Sequence, residues 1–422
     1  MSKKEYHWEI GQPPPELNVH SLAKHDVLRA YLSRYLNVLT SNPKIDRFRL
    51  TLVDGFSGGG VYLHEVNRKE ISGSPLIFLE ATREAAAEIN ARKTKQFTLD
   101  AHYFFIEKSK TTLEYLRKTL LERGYGALLQ DERIRLMQGD FAARASELIE
   151  FIRQKGRTGR TIFLLDQYGY LDVPFPLLRK IFSELPSAEV ILTFAVDAFG
   201  DFLTDSPESR IILSKMGIEN RFDLTQIAQA KGARDRRFFI QAAFGPIFNE
   251  ESGARFYTPF FITSRESNRD YWLVHLSMHA RARDEMAKLH WELKNHFRHN
   301  GGSGLNMLGY DPKKDESFTS QPDFNFDKSS RERSIRSLRE DLPEFMIRRT
   351  DGIEFQKLLE ETCNTTPASS DIYREVLGEL LIDKDISVTS KEGGQRRKGD
   401  SIEKTDIIKV SRQVSLFFRK KQ

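Results

Sequence analysis

A Rossmann-like α/β sheet followed by a smaller winged-helix domain is the fold that three patterns in the sequence predict. Strand-like runs alternate with helical ones between residues 50 and 194, the pattern of a parallel sheet covered by helices. The first of those runs, Leu50 to Val53, feeds directly into a glycine-dense turn, Asp54-Gly55-Phe56-Ser57-Gly58-Gly59-Gly60. Near the C-terminus, three helical patterns lead into two short strand-like runs with a basic tip between them, which is the element order of a winged helix.

The turn after the first strand has the composition of a nucleotide-cofactor loop, because only glycine tolerates positive φ and removes the Cβ wall that would keep a ligand away from the backbone. Its spacing is not that of a dinucleotide loop. After Gly58 and Gly60 the third glycine of G-x-G-x-x-G falls on Leu63, and no strand-ending acid follows at the required distance of about 20 residues. The next strand that ends in an acid is Ala101 to Glu107. That distance suits a Rossmann-like sheet whose cofactor lacks a pyrophosphate, and S-adenosylmethionine is the candidate; an ordinary tight turn is the bland alternative.

At 422 residues the chain is long enough for two or three domains. No apolar run approaches the ~20 residues that cross a bilayer, and Met1 to Trp8 lacks the apolar core of a signal peptide. The expectation is a cytoplasmic protein without membrane partners. The single cysteine, Cys363, excludes an intrachain disulfide and any zinc or iron–sulfur site built from several cysteines of this chain. Sixty-five Lys plus Arg against sixty Asp plus Glu give a net charge of +5, which permits nucleic-acid contact without requiring it.

In chain order, a Pro-rich lead (Gln12 to Pro15) precedes a helical pattern from about Leu22 to Leu39, with Lys24 and His25 in its first turns. Beside the glycine turn such a helix can offer Lys24 to a carboxylate; a solvated helix start is the alternative. Gly73-Ser74-Pro75 launches a helix to about Arg92, with proline at a first-turn position where its missing N–H costs nothing. Glu107 then ends the second strand, where two carboxylate oxygens suit two vicinal ribose hydroxyls. It could equally serve only the start of the helix from Ser109 to Gly124. A third strand, Arg133 to Gln138, ends in Gly139-Asp140, and a fourth, Thr161 to Leu165, ends in Asp166-Gln167-Tyr168-Gly169. Asp54, Glu107, Asp140 and Asp166 thus recur at four strand ends, so one edge of the sheet is a composite site. A fifth strand is expected at Glu189 to Phe194, with Asp197 read as part of the following turn.

Residues 201–253 read as a charged helical insertion, with Arg234, Arg236 and Arg237 clustered and a solvated face expected. A hairpin follows, Arg255 to Ser264 and Tyr271 to Ser277, turning at Glu266 to Asp270; a closing antiparallel pair suits the methyltransferase variant of the sheet. The helix Ala280 to Phe297 comes next. The histidines at 275, 279, 290, 296 and 299 do not share one helix at metal spacing, so no metal site is expected. The expected domains are 1–310, a linker over 311–330 within the polar stretch 301–330, and 331–422. In the last, the third helix can enter a major groove while the tip Arg396-Arg397-Lys398 neutralises phosphates; a protein-docking winged helix is the alternative, because Asp371, Glu375, Glu379 and Asp383 make that helix acidic.

Several of these residues resemble the three-Cys-motif partner (TcmP) family, methyltransferase-like proteins encoded beside a cysteine-rich, radical-SAM-like partner. The resemblance lies in His20, Lys24-His25, Asp54-Gly55-Phe56, Gly58, Gly60, Tyr62, Gly73-Ser74-Pro75, the run Tyr271 to His275 and the helix Ala280 to Trp291. It spans roughly residues 15 to 310, and the Lys24-His25 and glycine-turn regions also look like certain ribosomal-RNA adenine methyltransferases. The family usually has arginine where Val61 stands, and Asp-Pro-Phe-Gly where this chain has Asp166-Gln167-Tyr168-Gly169.

The resemblance implies direct methyl transfer to a base amino group of DNA or RNA. Asp166 and the Gln167 carbonyl accept the two N–H bonds of the acceptor and Tyr168 stacks on an unpaired base. Lys24, Asp54, Phe56, Gly58, Gly60, Glu107 and Asp140 hold S-adenosylmethionine, with Asp140 on its adenine, Glu107 on its ribose, and the turn and Lys24 on its methionyl end. The alternative is a non-catalytic subunit that binds cofactor, nucleic acid or the radical-SAM-like partner.

Overall fold

The strand that leads into the glycine turn is Arg47–Asp54 (β1), buried from Leu50 onward. A strand covered on both faces belongs inside a parallel sheet. The other strands of that sheet are Thr98–Glu107 (β2), Ile134–Gln138 (β3), Arg160–Leu165 (β4), Ala188–Phe194 (β5), Phe256–Thr263 (β6) and Asp270–Ser277 (β7). Their order is β3-β2-β1-β4-β5-β7-β6. The first five pair in parallel, and β7 runs antiparallel to both β5 and β6. This is the methyltransferase-type Rossmann-like sheet with its closing antiparallel hairpin. The computed structural model describes residues 6–17, 19–154, 159–225, 233–263, 270–293, 303–307 and 326–411.

Register explains why the acids meet. Asp54 is level with Phe105 on β2 and Leu164 on β4, and Glu107 is level with Gln138 on β3. Strand order reverses between β1 and β4, the switch point where open α/β sheets bind ligands at their carboxyl ends. Asp54, Glu107 and Asp166 lie on either side of it.

The first helix, Val19–Leu39, starts earlier than expected and buries Val27, Leu28, Tyr31, Leu32 and Leu36. Tyr31 donates its hydroxyl to Glu189 on β5 and lies 3.2 Å from Nε2 of His275 on β7, which itself is 2.9 Å from Glu189 Oε2. All three side chains are buried. A small sheet not anticipated from the sequence follows the glycine turn: Val61–His64 pairs with Glu70–Ser72 and, in parallel, with Glu16–Leu17. Each of its strands has four residues or fewer, too short for alternation to register.

The helix Val196–Phe202 runs into the insertion, which contains the helices Pro207–Met216 and Ala233–Glu251. The expected solvated face is only part of the last one. Ile240, Phe244, Ile247 and Phe248 are buried on one side of it, and Phe244 lies 4.8 Å from Phe194 and 4.9 Å from Phe199, ring centre to ring centre. Charged residues set the composition, but an i, i+4, i+7, i+8 stripe sets the packing. The side chains of Asp197, Arg234, Arg236 and Arg237, and the hairpin turn at 264–269, lie outside the described residues.

The chain divides into two compact units, Met1–Ala282 and Arg283–Gln422, a division earlier than the boundary expected near 310. The helix Ala280–Leu293 shows what ties its later turns to the second unit. Buried Arg283 donates to the carbonyls of Ala368 and Thr366, Asp284 accepts from Ser370 N at 2.6 Å and from Ser370 Oγ at 2.7 Å, and Trp291 donates to Pro367 O at 2.9 Å. Within the polar stretch 301–330 and ahead of the expected linker, Leu305 N donates to Asp341 and Met307 N to Thr365 O; residues 308–325 are not described. The winged helix comprises Lys328–Met346, Phe355–Thr362 and Ser370–Ile382, with a three-stranded sheet of Ile353–Glu354, Ile407–Val410 and Ile386–Thr389 in that order.

Tyr31→Phe is expected to cost about 1–3 kcal/mol of stability, since Glu189 and His275 stay buried with one partner fewer. Denaturant unfolding of the two proteins measures this, and equal midpoints would mean that the network does not hold the helix.

Candidate functional site

A cavity of about 580 Å³ opens at the carboxyl edge of the sheet, within the range of small-molecule sites. Of the residues read from the sequence, Lys24, Phe56, Gly58, Glu107, Asp166, Gln167 and Tyr168 line it. Asp54, Gly60 and Asp140 do not.

Glu107 is oriented by the backbone alone. Its Oε2 accepts from Gly58 N at 3.1 Å and its Oε1 from Ser109 N at 2.8 Å. The second contact ties it to the start of the helix Lys110–Glu122, whose N-cap is Ser109; the two roles weighed for this residue are compatible. Two backbone donors use about half of a carboxylate's acceptor sites, so Glu107 retains capacity toward the cavity.

Asp54 lies beneath the turn, fully buried. Its Oδ1 accepts from Phe56 N at 3.1 Å, while Oδ2 is buried without a hydrogen-bond partner. Burial pushes its pKa up to about 7; the Ser74 hydroxyl and the Phe56 amide oppose this, and the charges of Asp166 and Glu107 add to it. Gly58 and Gly60 hold positive φ at +59° and +84°. At Gly60 a Cβ would stand 2.7 Å from Leu116, so this glycine is needed for packing under the turn.

The carboxylate that Lys24 meets is Asp166: Nζ lies 2.7 Å from Oδ1 and 2.6 Å from Oδ2. Burial works to raise the Asp166 pKa, but Lys24 outweighs it and holds the carboxyl below its usual range. His25, next on the helix, is driven down to about 4, first by burial and then by Lys24. Gln167 is 1% exposed, and its Oε1 accepts from Asp172 N at 3.1 Å and Val173 N at 3.2 Å. Its side chain therefore shapes the loop and leaves the backbone carbonyl as its remaining acceptor. Tyr168 is 53% exposed at the cavity. Asp140 is exposed at the rim and pairs with Lys108 at 3.0 Å.

The same cavity is lined by residues that sequence reasoning missed, chiefly Tyr6, His7, Trp8, Thr112 and Thr193. The aromatic run Tyr6-His7-Trp8 was the available signal, ahead of a Pro-rich stretch where side chains of that kind have no reason to be exposed.

In the second unit, Arg396 is not a free cation. Its Nε is 2.7 Å from Asp406 Oδ2 and its Nη2 is 3.5 Å from Glu403. Arg397 and Lys398 are exposed and have no ion pair among the described residues. The acids of the helix Ser370–Ile382 and of its C-cap are paired as well, Glu375 with Arg331 at 3.0 Å, and Glu379 and the cap residue Asp383 with Arg339.

A family model for a GMT-like winged helix-turn-helix domain matches residues 309–393. No curated protein matches the chain. Among solved structures the chain is similar to protein LPL1258 of Legionella pneumophila str. Philadelphia 1, of family DUF519, at 11% identity and TM-score 0.34, over 60% of this chain and 85% of that one. It is also similar to WbdD at 13% identity and TM-score 0.29, over 62% of this chain and 40% of that one. A third is the METTL16 methyltransferase domain, at 10% identity and TM-score 0.25, over 60% and 68%. The fold assignment rests on the strand order itself.

The Asp54 pKa has a consequence for stability. The group holds its proton in the folded state up to about pH 7 but ionises freely near 3.8 when unfolded. Its contribution is complete below the unfolded value and is lost as pH rises toward 7. Asp54→Asn, which keeps an acceptor for Phe56 N, should therefore gain on the parent by a few kcal/mol between pH 4 and 8. Denaturant midpoints across that range test it; a constant difference would mean that Asp54 titrates normally.

Proposed function

We propose that the chain is an S-adenosylmethionine-dependent methyltransferase acting on a base amino group of a nucleic acid. One observation carries the reading: Glu107, oriented by Gly58 and Ser109, and Asp166, paired with Lys24, face a single cavity at the switch point of a methyltransferase-type sheet. The fit to the cofactor lies in the unused acceptor capacity of Glu107 for vicinal hydroxyls and in the close approach that the turn at Gly58 permits. Phe56 adds an apolar wall, and Asp54 and Gly60 act from below by shaping the turn. Asp140 would have to leave Lys108 to reach an adenine amino group. S-adenosylmethionine, when bound, supplies a methyl group on an electrophilic sulfonium.

The chain's own residues then have to prepare the acceptor. An exocyclic amino nitrogen is a poor nucleophile because its lone pair is conjugated with the ring. Asp166 and the Gln167 carbonyl, accepting its two N–H bonds, would localise that lone pair. Lys24 serves this role by keeping Asp166 ionised and hence acceptor-only, and each Asp166 oxygen keeps a second lone pair. Tyr168 offers a stacking face worth about 1–3 kcal/mol to an unpaired base. A second reading, a non-catalytic subunit serving a three-Cys-motif radical-SAM-like partner, is favoured by the same pair, since both Asp166 oxygens already accept from Lys24.

Nucleic-acid affinity is proposed to come from the winged helix through Arg397 and Lys398. Arg396, held by Asp406, fixes the shape of the wing.

Calorimetry with S-adenosylmethionine is expected to give binding that Glu107→Ala weakens by about 1–3 kcal/mol. Asp166→Asn should bind the cofactor normally and slow transfer by about 100-fold or more; full activity in that variant would move the acceptor elsewhere. Binding without turnover on any nucleic acid would favour the subunit reading. For the second unit, Arg397→Ala and Lys398→Ala should each flatten the log–log salt dependence of duplex binding by about 0.9 for the phosphate contact removed, and Arg396→Ala should lower stability as well. Unchanged slopes in the first two would assign the domain to protein docking.

A further inference from the structure

The segment ahead of the first helix makes contacts that none of the motifs requires. Trp8 is only 6% exposed. Its indole lies on the bare faces of two turn glycines: a Cβ at Gly58 would stand 2.9 Å from the ring, and one at Gly59 would collide with it. Trp8 Nε1 donates to Val61 O at 2.8 Å in a buried hydrogen bond. Tyr6, Trp8 and Tyr62 close into a cluster with ring centres 5.2 to 5.9 Å apart. Further along the same segment, Pro15 O accepts from Leu63 N at 2.9 Å and Glu16–Leu17 pairs with Leu63 and His64. The segment thus grips the stretch from Gly58 to His64 at two places.

We propose that Tyr6–Trp8 forms a fixed wall of the ligand cavity and that Trp8 is a positioning residue, holding the Gly58–Gly60 turn in the shape that presents Gly58 and Glu107 to a ligand. The proposal rests on the cavity being a cofactor site. Glycine loses more conformational freedom on ordering than any other residue, so a triple-glycine turn that binds through its backbone must be held beforehand or subtract its ordering from affinity. Two of those glycines have positive φ, and none of the three has a side chain of its own. Ser57 Oγ on Ile106 O at 3.2 Å and Gly73 N on Gly60 O at 2.7 Å hold the two ends of the run, and Trp8 covers the middle, by ring contact and by its bond to Val61. The influence reaches further, because Gly58 N is one of the two donors that orient Glu107. Trp8 therefore acts on the ligand through Gly58 and Glu107.

The test uses the full chain with Trp8→Ala and Trp8→Phe, S-adenosylmethionine and S-adenosylhomocysteine as probes in calorimetry, and amide hydrogen exchange over residues 55–63 without ligand. Trp8→Ala should weaken both probes at least tenfold and speed exchange in the turn, while exchange in β1 and β2 stays as in the parent. Trp8→Phe keeps a ring face but loses the bond to Val61, and should fall between. Equal affinity in Trp8→Ala would overturn the proposal, and tighter binding would do so in the opposite sense, marking Trp8 as an occupant that a ligand displaces. Should the parent bind neither probe, the cofactor reading fails; unchanged exchange in Trp8→Ala would then overturn the wall as well, since that measurement needs no ligand.

Discussion

The carboxyl edge of the parallel sheet gathers acids into a small volume, and the structure depends on how each one is accommodated. Four strand ends deliver Asp54, Glu107, Asp140 and Asp166, and each is handled differently. Asp54, fully buried, has its charge suppressed by burial. Glu107 keeps its oxygens on two backbone amides. Asp166 takes the ammonium of Lys24 on both oxygens, and Asp140 stays at the solvent with Lys108. Burying four unpaired carboxylates together would cost far more than a domain's net stability. The order of burial is therefore also an order of position: the deepest acid lies under the turn, and the two of intermediate depth line the cavity.

The placement of Lys24 is in turn a consequence of packing. The first helix that brings Lys24 to Asp166 also carries Tyr31, on the same rigid rod, bonded to Glu189 and beside His275. Glu189 opens β5, and Thr193 near its other end lines the cavity. The helix is thus joined to β5 by a buried polar network and, nearer its start, to the residue after β4 by the Lys24–Asp166 ion pair. Such networks are costly when half satisfied, which makes the helix register sharply defined.

Much of this was legible in the residues. Strand ends marked by Asp54, Glu107 and Asp166 give the edge and the switch point, because a parallel strand is a compact apolar run whose end is visible in a single sequence. The partners of those acids were less legible. Lys24 meets Asp166 across 142 positions, and no local pattern encodes that pairing. Asp140 shares the strand-end signature but follows β3, the edge strand of the sheet, where the rim is open to solvent. Gln167 was read for its carbonyl after Asp166, and no pattern announced that its side-chain amide oxygen also staples Asp172 and Val173. Trp8 escaped notice because its partners are glycines, which leave no complementary pattern to match.

The second unit shows why element order alone is a weak guide to how a winged helix binds. Only Asp371 and Ile382 of the helix Ser370–Ile382 are exposed. One flank is tied by Arg331 and Arg339 to Lys328–Met346. Another is so close to the turn at Gly399–Ser401 that a Cβ at Gly378 would stand 3.2 Å from Gly399 N, and one at Gly399 would strike the Arg374 carbonyl. A helix that enters a major groove must present a free polar face to base edges. This one has spent its polar residues on its neighbours and its small residue on contact with the wing. Under the proposed nucleic-acid role, contact by this unit would therefore fall to the wing, where Arg397 and Lys398 are exposed beside the Arg396–Asp406 pair. Cations presented in this way would read phosphate and not sequence, and on the same proposal any choice of base would be left to the site that carries Asp166 and Tyr168.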